Sequence, residues 1–167
     1  MHALLILILS FCLCMPVLAK EIPPDIRSFY RKDEMLQNAC KTTERSRTRT
    51  TIRALAKDRA PKLASRLVDE MLCGDTVRSH EYVIAHTARA ISSANIAAYD
   101  EYGNFLITQV PGTSIEPARM QAWNVSAWEI DDVIRIDFTD GGPCSMSFDI
   151  KNLAAVWKVV ATGVACD

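Results

Sequence analysis

Residues 80–86, His-Glu-Tyr-Val-Ile-Ala-His, hold two of the three histidines in the chain. A zinc hydrolase of the H-E-x-x-H type places its ligands at i and i+4, one helical turn apart. Here the spacing is six, which puts the imidazoles on nearly opposite faces of a helix but on one face of a strand. A catalytic zinc also needs a third protein ligand. Glu81 or another acidic side chain would have to join His80 and His86. The chemistry on offer is that of a small hydrolase with a histidine–carboxylate site. The spacing argues instead for capped or surface histidines, and no metal site is expected.

Cysteine is the second reactive type. The six residues are Cys12, Cys14, Cys40, Cys73, Cys144 and Cys166. The first two lie in an apolar, charge-free leader, Ala3–Ala19, of 17 residues. Val17-Leu18-Ala19 ends that leader in a small residue, the pattern of a secretory signal cleaved before Lys20. Phe11 and Leu13, which precede the leader cysteines, are too large for a lipoprotein site. An uncleaved leader would be the only membrane attachment. Cleavage leaves 148 residues, the usual size of one domain. It also leaves an even set of cysteines in an exported chain, which reads as disulfides. A cysteine nucleophile would need a neighbouring base and a lowered pKa, and nothing in the sequence supplies either. The expected compartment is the periplasm or the extracellular space.

Charge gives the third candidate. Residues 41–66 carry nine basic side chains against Glu44 and Asp58, a net of +7, while residues 67–167 carry six basic and fourteen acidic, a net of −8. Arg45, Arg49 and Arg53 form one i, i+4 stripe. Such a stripe suits docking to a protein or an anionic envelope component. The competing reading is a solvated helix whose arginines meet the protein's own acidic sheet. Export and the absence of a recognition motif argue against nucleic acid. Trp123 and Trp128, five apart in one strand, should point to opposite faces. Either a bulge near Asn124–Ser126 turns both inward, or one indole is exposed for binding. Asn124-Val125-Ser126 also matches the N-glycosylation pattern. Asp131-Asp132 reads as a turn. No nucleophile elbow, phosphate-cradling glycine loop or calcium loop is present, so no cofactor is expected.

The elements that must position these groups fall into two halves. After Pro23-Pro24, Asp25 caps a helix with Ile26, Phe29, Leu36 and Cys40 on its apolar face. A second helix runs over 44–59, with Ile52, Leu55 and Ala56 inward. Pro61 opens a third, where Leu63, Leu67, Met71 and Leu72 recur at helical spacing, and Gly74 closes it. If helices two and three are antiparallel, the chain leaves Cys40 and returns to it at Cys73, so Cys40–Cys73 is the expected bridge. Alanine content extends a helix over 76–91, although Tyr82-Val83-Ile84 would equally start a strand.

From about Asn95 the period is two. Strands are expected at 96–99, 105–110, 119–128, 133–138, 144–150 and 155–161. A turn at Asp140–Pro143 sets Phe138 opposite Cys144, Ile136 opposite Met146 and Ile134 opposite Phe148. A turn at Lys151–Leu153 sets Phe148 opposite Trp157, Met146 opposite Val159 and Cys144 opposite Ala161. Arg135, Ser147 and Lys158 then share the outer face. Cys144 points to the apolar side, where Cys166 reaches it only if the chain folds back at Gly163.

The expectation is an α+β domain over 20–167, with N-terminal helices packed on a C-terminal antiparallel meander and two staples. This order of elements is similar to pilin-like and NTF2/cystatin-like architectures, a similarity that implies no activity. The leader lacks the glutamate just inside its apolar run that a pilin would carry. The functional expectation is an exported, non-enzymatic binding protein, of inhibitor or immunity type or an accessory subunit of an envelope assembly. The alternative is the hydrolase built on His80, Glu81 and His86.

Overall fold

The structure is a computed structural model, and it describes residues 37–99, 105–119 and 121–166. The expected leader, its cleavage after Ala19 and most of the first helix lie outside the described residues. The described residues fall within one compact unit, Met35–Asp167. The chain is α+β: three helices pack against one six-stranded sheet.

Helix α1 is Thr42–Ala56, α2 is Pro61–Cys73 and α3 is Val77–Ala85. Pro61 stands in the first turn of α2, where its missing N–H deprives no partner. The apolar stripe is buried as its spacing requires: Leu67, Val68, Met71 and Leu72 are at most 3% exposed. Leu63, expected on that stripe, is instead 46% exposed. Cys40 lies in a turn ahead of α1 rather than in a helix, and it is bonded to Cys73 at the end of α2. The antiparallel return expected of the two helices is therefore present.

Helix α3 is shorter than the sequence suggested. It stops at Ala85, where His86 turns its Nδ1 to the Tyr82 carbonyl (2.8 Å) and stacks on the Tyr82 ring (4.0 Å). The Thr87 hydroxyl donates to the Val83 carbonyl at 2.8 Å, so two terminal carbonyls are satisfied by side chains. Residues 87–91 then enter strand β1. Alanine propensity is a weak preference, and a place in the sheet overrides it.

The strands are β1 Thr87–Tyr99, β2 Phe105–Pro111, β3 Trp123–Ile130, β4 Val133–Thr139, β5 Cys144–Leu153 and β6 Val156–Cys166. Their order is β2-β1-β6-β5-β4-β3. The expected meander is β3 to β6, and it carries β6 back beside β1 in a parallel pair. The return from edge to edge runs through a 3₁₀ turn at Gly112–Ser114 and past α2, where Ala118 N–H meets the Met71 carbonyl at 2.8 Å. Gly112 is required there: an added Cβ would lie 1.9 Å from the Ala88 carbonyl oxygen.

The register differs from expectation by two residues between β4 and β5, and between β5 and β6 by four and then, past a bulge, by five. Phe138 faces Met146, Ile136 faces Phe148 and Ile134 faces Ile150. On the other side Ile150 faces Val159 and Asn152 faces Trp157, and after a bulge Cys144 faces Cys166. The β4–β5 link is Asp140–Pro143 as expected, but the ladder beside it closes on Thr139 with Ser145, and the Asp140 carboxylate accepts from Gly142 N–H at 2.8 Å within the turn. The β5–β6 link is Ala154-Ala155 rather than Lys151–Leu153. Cys166 thus reaches Cys144 in straight register, with no fold-back at Gly163.

The shifts of two and four residues preserve parity, and the odd step falls past the β5–β6 bulge, beyond the buried pair Ile150–Val159. Ile134, Ile136, Phe148, Ile150, Trp157 and Val159 are all at most 1% exposed, in one core with Ile52, Ala56 and Leu67. The two disulfides suit an oxidising, non-cytosolic compartment. By the chain-entropy model each contributes about 3–4 kcal/mol. Among the described residues no helix is long and apolar enough to cross a membrane.

The Ala154-Ala155 turn yields a test. Both residues are left-handed, at φ 51° and 67°, a conformation that disfavours residues with a Cβ and favours Asn-Gly in two-residue hairpins. The double substitution Ala154→Asn, Ala155→Gly should raise unfolding free energy by about 1 kcal/mol, read from denaturant midpoints at unchanged slope.

Candidate anion-binding site

The basic stripe of α1 lies against α2. Helix α1 runs polar almost throughout and buries only Ile52 and Ala56 fully, so its arginines flank the seam between the two helices. On α2, Ser65 and Asp69 stand one turn apart beside the apolar stripe, 2% and 7% exposed. Antiparallel packing sets them opposite the stripe in reverse order. Arg45 grips Asp69 with Nε and Nη2 at 2.6 and 2.7 Å, Arg49 Nη2 adds a bond of 2.6 Å, and Arg53 Nε donates to Ser65 Oγ at 3.1 Å.

Asp69 is therefore a buried carboxylate shared by two guanidinium groups. Burial alone would push its carboxyl up, but the hydrogen bonds from Arg45 and Arg49 outweigh that, and it is held below the usual carboxylate range. Its partnership raises Arg45 in turn. The neutralising group for the stripe was thus neither in the basic segment nor in the sheet; it lies just beyond the segment, on the next helix. Other members of the basic segment do reach the sheet. Lys57 Nζ and Arg59 Nη2 hold Glu129 of β3 at 2.8 and 2.6 Å.

A cleft of about 340 Å³ opens along this seam, lined by Arg45, Arg49, Arg53, Lys62, Ser65, Arg66, Asp69 and Glu70. Five cations face two carboxylates, a net of +3. Asp69 is saturated by two of the cations. Arg66 reaches Glu70 only at 3.9 Å and lies 4.2 Å over the Tyr82 ring. Arg53 and Lys62 have no ionic partner among the described residues. Ser65 donates its own proton to the Lys62 carbonyl at 3.1 Å, so its hydroxyl is fixed and holds the Arg53 guanidinium by Nε, leaving both Nη groups for a ligand.

The tryptophans are elsewhere. Asn124 is left-handed at φ 51°, and the β3–β4 ladder skips between Trp123 and Ser126. This is the expected bulge, and its effect is to put both indoles on one side: Trp123 pairs with Thr139 and Trp128 with Arg135. That side is the sheet face opposite the helices, where both are half-buried rather than turned into the core. Arg45, Arg49 and Arg53 come together; Trp123 and Trp128 form a separate surface behind the sheet. Arg135 makes a two-pronged pair with Asp149 there, at 2.8 Å through each oxygen. Beside them, burial pushes the Asp137 carboxyl up to about 6, against the pull of Arg135 and with a further push from Asp149.

His80, Glu81 and His86 stand in different surroundings. His80 is in α3 with its Nδ1 buried and unpartnered, Glu81 is exposed, and His86 caps the helix. Among the described residues no three histidine, cysteine or acidic side chains are grouped to hold a metal ion. Sequence reasoning missed Asp69, Ser65, Asp137 and Asp149. Ser65 and Asp69 carried a usable signal, since polar residues at i, i+4 beside an apolar stripe face whatever helix packs next to it.

Two substitutions test these charges. Asp69→Asn should destabilise by about 2 kcal/mol, because two arginines lose a charged acceptor. The depressed folded pKa means this contribution is present above the unfolded value near 3.9 and is lost as pH falls through the folded value, so thermal melts of mutant and wild type should converge in acid. Asp137 carries the opposite sign. Its raised pKa favours the folded state below about 3.9, an advantage lost as pH rises through about 6. Asp137→Asn should therefore raise the melting temperature above pH 6 and leave it unchanged at pH 4.

No family model matches the chain, and no curated protein matches it. Among solved structures it is similar to the crystal structure of an NTF2-like protein of unknown function from Methylobacillus flagellatus KT, at 11% identity over 80% of this chain and 99% of that one, with a TM-score of 0.37.

Proposed function

We propose that this chain is an exported, non-enzymatic binding protein that docks an anionic partner through the α1–α2 cleft. The observation that carries the reading is the residual charge of that cleft. Asp69 is already saturated, yet Arg53 and Lys62 remain without an ionic partner beside it among the described residues. Fixed cations facing solvent raise the encounter rate of anions. The paired disulfides support a periplasmic or secreted location for the mature chain. A role as an inhibitor of immunity type, or as an accessory subunit of an envelope or secretion assembly, fits a small stapled domain with one such surface. Trp123 and Trp128 offer a second contact surface on the opposite side.

The arginines divide between two tasks. Arg45 and Arg49 serve the fold through Asp69, so their removal confounds binding with stability. Arg53 and Lys62 are exposed, and replacing both by glutamine should shift unfolding free energy by about 0–1 kcal/mol. With the partner retained from native envelope extract by wild type, the double variant should associate more slowly and with a flatter salt dependence. Unchanged association at low salt would remove the cleft from the docking surface.

A further inference from the structure

We infer that the Arg53 end of the cleft takes one phosphoryl group, a tetrahedral oxyanion of double negative charge, rather than a carboxylate. The inference rests on the docking role of the cleft and names the chemistry of what docks. The cleft already shows how it treats a carboxylate. Asp69 sits across Arg45 and Arg49, with both oxygens engaged at 2.6–2.7 Å. That planar, two-oxygen acceptor is satisfied from within the chain.

What remains is arranged differently. Arg53 comes from α1, while Lys62 and Arg66 come from α2, one turn apart, and all three line the same cleft. Ser65, between Lys62 and Arg66 in sequence, pins the Arg53 guanidinium by Nε at 3.1 Å. Donors that converge from two helices suit a ligand with oxygens on several sides. A carboxylate presents two oxygens in one plane; a phosphoryl group presents three strong acceptors and a charge of about −1.5 to −2. Against a net of +3, a single carboxylate would leave two cations uncompensated. The dianion also competes better for Arg66, which Glu70 holds only at 3.9 Å. A guanidinium held by one nitrogen keeps its two Nη groups for a pronged bond to phosphate oxygens.

The test is a titration of the ¹⁵N-labelled, disulfide-bonded protein with inorganic phosphate. Acetate at matched ionic strength is the comparison, and amide shifts are the readout. Phosphate should saturate shifts around Arg53 and Lys62–Arg66, with affinity at least about tenfold above acetate. Arg53→Gln should weaken phosphate by about tenfold or more. Ser65→Ala should weaken it less, and Ser65→Thr should restore it, because the hydroxyl acts by holding Arg53. Glu70→Gln should tighten binding, an effect that a merely structural role for the cleft would not produce.

A second arm separates the sources of the group. Retention on phosphatidylcholine vesicles containing phosphatidic acid, lost in Arg53→Gln and absent on phosphatidylcholine alone, assigns a lipid headgroup. Saturable free phosphate without vesicle retention assigns a soluble phosphate or monoester. Acetate binding as well as phosphate overturns the phosphoryl assignment, and so does a phosphate response that Arg53→Gln leaves intact. If partner association still depends on Arg53 and Lys62 after such a result, the docking role stands and only the phosphoryl chemistry falls.

Discussion

A carboxylate with 7% of its surface exposed demands cations, and the Asp69 demand organises the helical half of this protein. Stripping water from an ionised group costs several kcal/mol unless charged partners replace it. Arg45 and Arg49 do so from the facing helix, which fixes the rotation and the offset of α1 against α2. The same end of the hairpin is closed covalently by Cys40–Cys73. The other end is tied to the sheet. The Arg59 carbonyl accepts from the Trp157 indole and from Asn152, and its guanidinium holds Glu129. Clamped at both ends, the hairpin presents Arg53 between them with its position set by Ser65.

The sheet depends on a different constraint, parity. A strand buried on one face tolerates a register shift of two residues but not of one. The inward set of β4, β5 and β6 was therefore legible in the alternation of 133–138, 144–150 and 155–161 up to Val159, even though each pairing was displaced; Ala161, past the bulge, pairs with Asp149 instead. The displacement came from turns. Ala154-Ala155 carries none of the glycine, asparagine or proline that marks a two-residue hairpin, so the more polar Lys151–Leu153 was the natural reading. The parallel β1–β6 pair was not legible at all. It joins segments some seventy residues apart, and neither strand's own pattern specifies which neighbour it takes. The same blindness extended the helix through residues 87–91, whose alanines say little until β6 lies alongside.

For the site, sequence gave types and spacing but not opposition. Arg45, Arg49 and Arg53 were visible as a stripe, and the bulge at Asn124 was visible as one answer to the Trp123–Trp128 spacing. Which side of the sheet the indoles would occupy depended on the pairing of Trp128 with Arg135. That pairing was hidden because the strand was placed four residues early, at 119 rather than 123. Asp137 and Asp149 were equally hidden. The burial of Asp149 and the half-burial of Asp137 are properties of the packed sheet.

The charge separation along the chain is best understood after these pairings are removed from it. Of the nine cations in residues 41–66, Arg45 and Arg49 answer Asp69, and Lys57 and Arg59 answer Glu129. Arg47 and Arg66 have distant acidic neighbours on their own helices, each at 3.9 Å. Lys41, Arg53 and Lys62 are left without an ionic partner among the described residues. Much of the apparent surplus is thus internal bonding between the helices and the acidic half of the chain. The remainder is not spread at random: Arg53 and Lys62, from different helices, open onto one cleft. Two like charges held near each other repel, and exposed side chains on long flexible stems are free to separate. Here one of them is held by a buried serine instead. Holding a guanidinium in place with no anion of its own is unfavourable for folding alone, and it is what a preformed anion site requires.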